Sequence, residues 1–255
     1  MKRTILAGLA IALGATCLMG QFKPKSKGEA DAYNALIKAA QSGDNDATIK
    51  AADDMLSKYA DTAVKANVLD LEANAYHRKN DDDHAAVFAE QALAADPKDY
   101  QAPLLIAETI VTHTRENDLD KDEKLAKAEK DLNLAMENSK ATPKPNPQIP
   151  DDQWENFKKG QIAEAQAFMG RLFMIRKQWN DAIADLQPAS DVDPQPAYFV
   201  WLATAQVQGG KPDAALATCD KLLAQPDLQP VFKQAISGVR AQALMAKAKS
   251  GAGKQ

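Results

Sequence analysis

The chain has 255 residues, 45% of them hydrophobic and 26% charged, with a formal net charge of −4. It is long enough to bury a sizeable core. Its lysines are scattered and its balance is mildly acidic, which gives no electrostatic reason to expect nucleic acid or an anionic membrane face as partner.

Met1-Lys2-Arg3 precedes an apolar run from about Ile5 to Met19 with no further charge until Lys23. A basic start and so short an apolar core predict a Sec-type signal peptide over residues 1–20, since a spanning helix needs ~20 apolar residues. The expected location is therefore periplasmic or secreted, with no membrane span in the mature chain unless the leader is retained. An uncleaved anchor and a lipoprotein linked through Cys17 are the alternatives, although Gly14-Ala15-Thr16 lacks the usual leucine three residues earlier. Removing the leader takes away Lys2 and Arg3 and no acid, so 29 bases face 35 acids and the net charge becomes −6. Cys219 is then the only cysteine, which rules out an internal disulfide and leaves helix packing to stabilise the fold.

Beyond the leader the periodicity is helical throughout. Residues 21–140 are expected to hold the first helix pairs, beginning with a weak unit at about Asp31 to Lys65 that carries Ala35, Ala39, Gly43, Ile49 and Met55. A clearer unit covers Ala66 to Asp99. Next comes Tyr100 to about Lys140, where Leu125, Ala128, Leu132 and Ala135 fall at 3–4 spacing and mark one apolar stripe. Residues 141–150 hold Pro143, Pro145, Pro147 and Pro150 and are predicted to be a linker loop. Residues 151–248 should carry the remaining pairs and a capping helix from about Pro230 to Lys247, with a flexible tail at 249–255. Ser42-Gly43-Asp44, Asp81-Asp82-Asp83, Asp96-Pro97, Asp193-Pro194 and Gly209-Gly210-Lys211-Pro212 punctuate the series, because Asp caps, Gly ends and Pro starts helices.

The 34 residues from Ala66 to Asp99 recur at Ala163 to Pro196 with the same chemistry at the same offsets. Ala73 matches Gly170, Tyr76 matches Phe173, Ala85 matches Ala182, Ala92 matches Ala189 and Asp96-Pro97 matches Asp193-Pro194. A third, degenerate unit from Pro196 to about Gln229 carries Phe199, Leu202-Ala203, Ala215, Cys219 and Leu222, with Gln206 where the others have an aromatic. Met169-Gly170, Phe173, Trp179, Ala182, Leu186, Ala189 and Pro194 resemble the tetratricopeptide-repeat pattern, of an exported bacterial type. The 66–99 unit departs from that pattern at Glu72, where a leucine is usual, and at Ala89. The resemblance implies an all-α, right-handed solenoid of about five helix pairs with a C-terminal cap. Each pair would bury its apolar face against its neighbours.

The resemblance also implies a concave groove lined by the first helix of each unit, which in this family holds a peptide or partner protein. Carried onto this chain, the groove positions are Asn67, Asp70, Asn74, His77 and Arg78, then Phe168, Arg171 and Met174, then Val200, Trp201, Thr204 and Gln208. Asp70 stands where a lysine would grip a carboxylate. Contact with the next repeat is the competing reading for Phe168, Met174 and Trp201.

Signs of catalysis are missing: there is no Gly-rich phosphate loop, no Gly-x-Ser-x-Gly elbow and no Cys-x-x-Cys. His84 after three aspartates reads as a helix start, Asp118, Asp120 and Asp122 as a charged turn, and Cys219 as a buried filler. The expectation is a non-enzyme without cofactor or metal, an adaptor or assembly module for a protein or peptide. A structural subunit of an envelope complex and a carrier of a small apolar ligand are the alternatives.

Overall fold

The computed structural model describes residues 23–252. The expected leader with Cys17, and residues 253–255 of the expected tail, lie outside the described residues. Among those residues there are eleven helices and no strand. They are α1 (Lys27–Ser42), α2 (Asn45–Lys58), α3 (Lys65–Arg78), α4 (Asp82–Ala95), α5 (Gln101–His113) and α6 (Lys121–Ala141). After the Pro-rich segment follow α7 (Asp151–Ile175), α8 (Trp179–Val192), α9 (Pro196–Gln208), α10 (Pro212–Leu223) and α11 (Pro230–Ala252). None is long and apolar enough to cross a membrane.

The chain forms two compact units, one of described residues up to Thr112 with Asn133–Lys158, the other of His113–Leu132 with the residues from Lys159 onward. In the first, α1 packs on α2, α2 on α3 and α3 on α4. Its cores each join three successive helices: Tyr33, Leu36, Ala52, Met55 and Val68 tie α1 to α3, and Leu69, Ala73, Ala89, Ala92, Leu105 and Ile106 tie α3 to α5. The second unit repeats the scheme. Ala163, Ala167, Ala182, Leu186, Tyr198 and Leu202 join α7 to α9, and Phe199, Ala203, Cys219, Leu222, Ile236 and Val239 join α9 to α11. Within each unit the fold is therefore the all-α stack of consecutive pairs that the repeats imply.

Helix ends follow local chemistry. The side chains of Ser26, Asp44 and Asp81 accept from the backbone N–H of Glu29, Ala47 and His84, capping α1, α2 and α4. Pro196, Pro212 and Pro230 open α9, α10 and α11, where a missing N–H costs nothing. Asp96 and Asp193 close α4 and α8 alike, each donating its N–H to an alanine carbonyl, Ala92 and Ala189, at 2.9 Å.

The turn inside three of the pairs has one shape. Asn80, Lys177 and Gly210 all take a left-handed backbone, with φ of 59°, 61° and 73°. The N–H that follows each donates five residues back, Asp81 to Tyr76, Gln178 to Phe173 and Lys211 to Gln206, the closure of a Schellman turn. Gln206 thus occupies the same station as the aromatics. It is buried, and the Thr218 hydroxyl donates to its side-chain oxygen at 2.8 Å, so the polar replacement is satisfied.

The residues between the two clear repeats depart from the simple expectation of loops. The charged loop narrows to 114–120, and most of the surplus goes into helix: α6 has 21 residues and α7 has 25, absorbing the Trp154 segment into the helix that carries Phe173. Nothing between Asp151 and Ile175 stops a helix, because Gly160 only weakens one. The final helix likewise runs on to Ala252, and it leaves Val231, Leu244 and Met245 exposed.

Gly170 marks a close crossing of α7 and α8. A Cβ there would lie 2.5 Å from Leu186 Cγ and 3.0 Å from the Ala182 carbonyl oxygen. We predict that Gly170→Leu lowers stability by about 3 kcal/mol or more, measured by thermal melting, because the helices must separate; an unchanged melting temperature would show that the crossing is not close. Conversely, Lys177→Gly should raise stability by up to about 1 kcal/mol, since a side chain strains the left-handed turn while its ion pair with Glu116 is exposed and adds little.

Candidate functional site

Three of the expected groove residues come together in the second unit. Phe168 on α7 and Trp201 on α9 have ring centroids 5.8 Å apart, and the Arg171 guanidinium carbon lies 4.9 Å from the centre of the Trp201 ring. Tyr198, one helical turn before Trp201, adds a third ring at 5.7 Å. Phe168 and Tyr198 are buried, whereas Arg171 and Trp201 stay half-exposed. A guanidinium on a tryptophan face is a favourable cation–π pair, and here it presents both groups at one surface. Met174 packs against the core beneath, as Trp201 does with its inner side.

The other expected residues are elsewhere. Val200 packs on the neighbouring core of α9 to α11, the Thr204 hydroxyl donates to the Val200 carbonyl within its own helix, and Gln208 is exposed. Asn74 and Arg78 belong to the first unit: the Asn74 amide donates to the Asp70 carbonyl at 2.9 Å, and Arg78 is exposed. Asn67 accepts from the Tyr33 hydroxyl at 2.7 Å, and His77 Nδ1 lies 2.8 Å from Asp82. His84 sits over Tyr76 at 5.0 Å and meets Asp81, the α4 cap, at 2.8 Å. Cys219 is fully buried in its core, and burial pushes its thiol up to about 11.

A cavity of about 790 Å³ opens in the first unit, between the start of α3, the turn from α4 to α5, and the Pro-rich segment with the start of α7. Asp70 and Asp99 form part of its wall, and Tyr100, Trp154 and Phe157 another part. The aromatics support one another, with Trp154 stacked on Phe157 at 5.0 Å and Tyr100 edge-on to Phe157 at 6.4 Å. Asn138 fixes the turn by donating to the Pro97 and Asp99 carbonyls at 3.1 and 2.6 Å. Asp99 caps α5, accepting from the N–H groups of Gln101 and Ala102. Its carboxyl also hydrogen-bonds that of Asp70, so one of the two must hold a proton. Burial first, and the charge of Asp99 second, push Asp70 well above the usual carboxylate range, so Asp70 is the donor. Sequence patterning placed Asp70 on an open groove face. It missed the cavity because Tyr100 opens only a weak unit and Trp154 and Phe157 lie in a segment outside the repeat pattern.

No protein-family model and no curated protein matches the chain. A solved structure, a thermophilic TPR protein from Thermus thermophilus, is similar over 83% of this chain and 98% of its own, with a TM-score of 0.57 and 17% identity. The chain has the tetratricopeptide-repeat fold. A tetratricopeptide repeat protein from Parabacteroides merdae gives a TM-score of 0.46 at 12% identity, covering 89% of this chain and 93% of its own. An assembly chaperone of RpL4 gives 0.49 at 12%, covering 88% and 99%.

Against the repeat pattern of that fold, Glu72 is the largest local departure. It is fully buried, no N–H or cation donates to either carboxylate oxygen, and burial first, then the charge of Asp53 and a hydrogen bond with that carboxyl, raise it from 4.5 to about 8. An acid with a raised folded value holds more protons folded than unfolded between those two pH values. Its contribution is therefore best below about pH 4.5 and is lost as pH rises toward 8. We predict that Glu72→Leu stabilises the TPR unit by about 1–4 kcal/mol at pH 8 and by much less at pH 4.5, measured by denaturant unfolding at both. An equal effect at the two values would refute an ionisation cost.

Proposed function

We propose that the chain is an envelope-associated or periplasmic adaptor that holds a peptide or partner protein against the α7–α9 face, and that it is not an enzyme. The observation that carries this reading is the Arg171–Trp201 pair, half-exposed above a solid core of buried alanines and aromatics. Tryptophan and arginine are the residue types that dominate interface energetics, one for area at low entropic cost and the other for fixed donors. The TPR fold supplies a stacked scaffold for such a face. The basic, apolar start of the sequence supports export.

The carrier reading is less favoured, because the cavity of the first unit has carboxyl groups in its wall and polar residues such as the exposed Lys98 at its edge. Affinity capture from an envelope extract, followed by titration of the captured protein against the double variant Trp201→Ala with Arg171→Ala, tests the adaptor. The variant should lose about 1–4 kcal/mol of binding with its helical signal intact. Undiminished binding would move the interface off this face.

A further inference from the structure

The cavity of the first unit has features that the proposed α7–α9 face does not use. Asp70 is 4% exposed, yet no N–H, ammonium or guanidinium of the described residues donates to its carboxyl; the groups that act on it are acids, Asp99 by hydrogen bond and charge and Asp96 by charge. A buried carboxyl whose partner is a second carboxyl and not a cation is a costly arrangement for stability alone. Three aromatic rings share the cavity wall with it, and the faces of such rings attract cations as carboxylates do. Lys65 and Lys98 also line the cavity, but both residues are exposed, and neither is among the groups that act on Asp70 or Asp99. The space exceeds what one side chain needs and falls in the range of pockets that enclose a ligand.

We propose that this cavity binds a peptide through one basic side chain, whose ammonium or guanidinium group enters between Asp70, Asp99 and the rings of Tyr100, Trp154 and Phe157. The flanking peptide backbone occupies the remaining volume beside Pro143 and Pro145, which form part of the same wall. The proposal rests on the adaptor reading in one respect, that the cation is carried by a peptide. The recognition is charge-specific: an apolar side chain of equal length would leave the carboxyl pair without a cation.

The test is NMR titration of the full chain, following the indole N–H of Trp154, with those of Trp179 and Trp201 as references outside the cavity. The probes are a capped Ala-Ala-Arg-Ala-Ala peptide, its lysine and norleucine counterparts, and free putrescine. Saturable movement of Trp154 with the arginine and lysine peptides is expected, with none for norleucine, weaker binding of putrescine, and a loss of at least about tenfold in Asp70→Asn. Equal response to norleucine, an unaltered affinity in Asp70→Asn, or no movement up to about 10 mM peptide would each overturn the proposal. The norleucine comparison needs no variant, so it holds whether or not Asp70→Asn folds. Putrescine binding as tightly as the peptides would overturn it too, assigning the cavity to free amines instead. A captured partner that depends on Trp201 while Trp154 ignores basic peptides would sink this proposal and leave the adaptor standing, and the reverse result would do the opposite.

Discussion

Small residues at the helix crossings are what the rest of this structure depends on. Ala73, Ala85, Ala89, Ala92, Ala163, Ala167, Ala182, Ala189, Ala203, Ala205 and Ala215 are all completely or almost completely buried. Only a side chain this small lets two helix backbones approach, and the larger residues then interlock around the contact: Leu186 beside Gly170, Leu105 and Ile106 beside Ala73 and Ala92. Because each core joins three successive helices, a single crossing couples one pair to the next, and the stack within each unit propagates by nearest neighbours.

The turns serve the same end. A left-handed residue at Asn80, Lys177 and Gly210 reverses the chain within a short turn, so the second helix of a pair returns at the angle the alanines require. Asparagine and glycine take this conformation readily, so it is Lys177 that shows the turn imposed by packing rather than chosen by local preference.

Polar residues in the buried layer divide into two kinds. Gln206 has a donor in Thr218 and costs little. Glu72 meets only the carboxyl of Asp53, and Asp70 only the acids Asp99 and Asp96, so both carry a penalty that the alanine cores of the first unit must offset. The two acids differ in what lies next to them. Glu72 is sealed at 0% exposure among helices, whereas Asp70 lines a cavity with an aromatic wall, and only the second arrangement offers an incoming group a place.

The sequence by itself determined the helices, their pairing and most of their ends. Apolar spacing at about 3.6 residues, Asp and Ser caps, and prolines at helix starts act within a few residues of chain, which is why the repeat from Ala66 to Asp99 and its copy were legible without coordinates. It also placed Phe168, Arg171 and Trp201 on matching faces, because repeat register fixes which side of a helix a residue occupies. Tertiary structure alone decided which of the groove residues meet, and it split Val200 and Thr204 from Trp201 although all three share one helix. It alone brought Asp70, Asp99, Tyr100, Trp154 and Phe157 to one cavity. Those residues come from α3, the α4–α5 turn and α7, separated by up to 87 positions in the chain. No local periodicity encodes a meeting across that distance, because it is set by how whole helices pack.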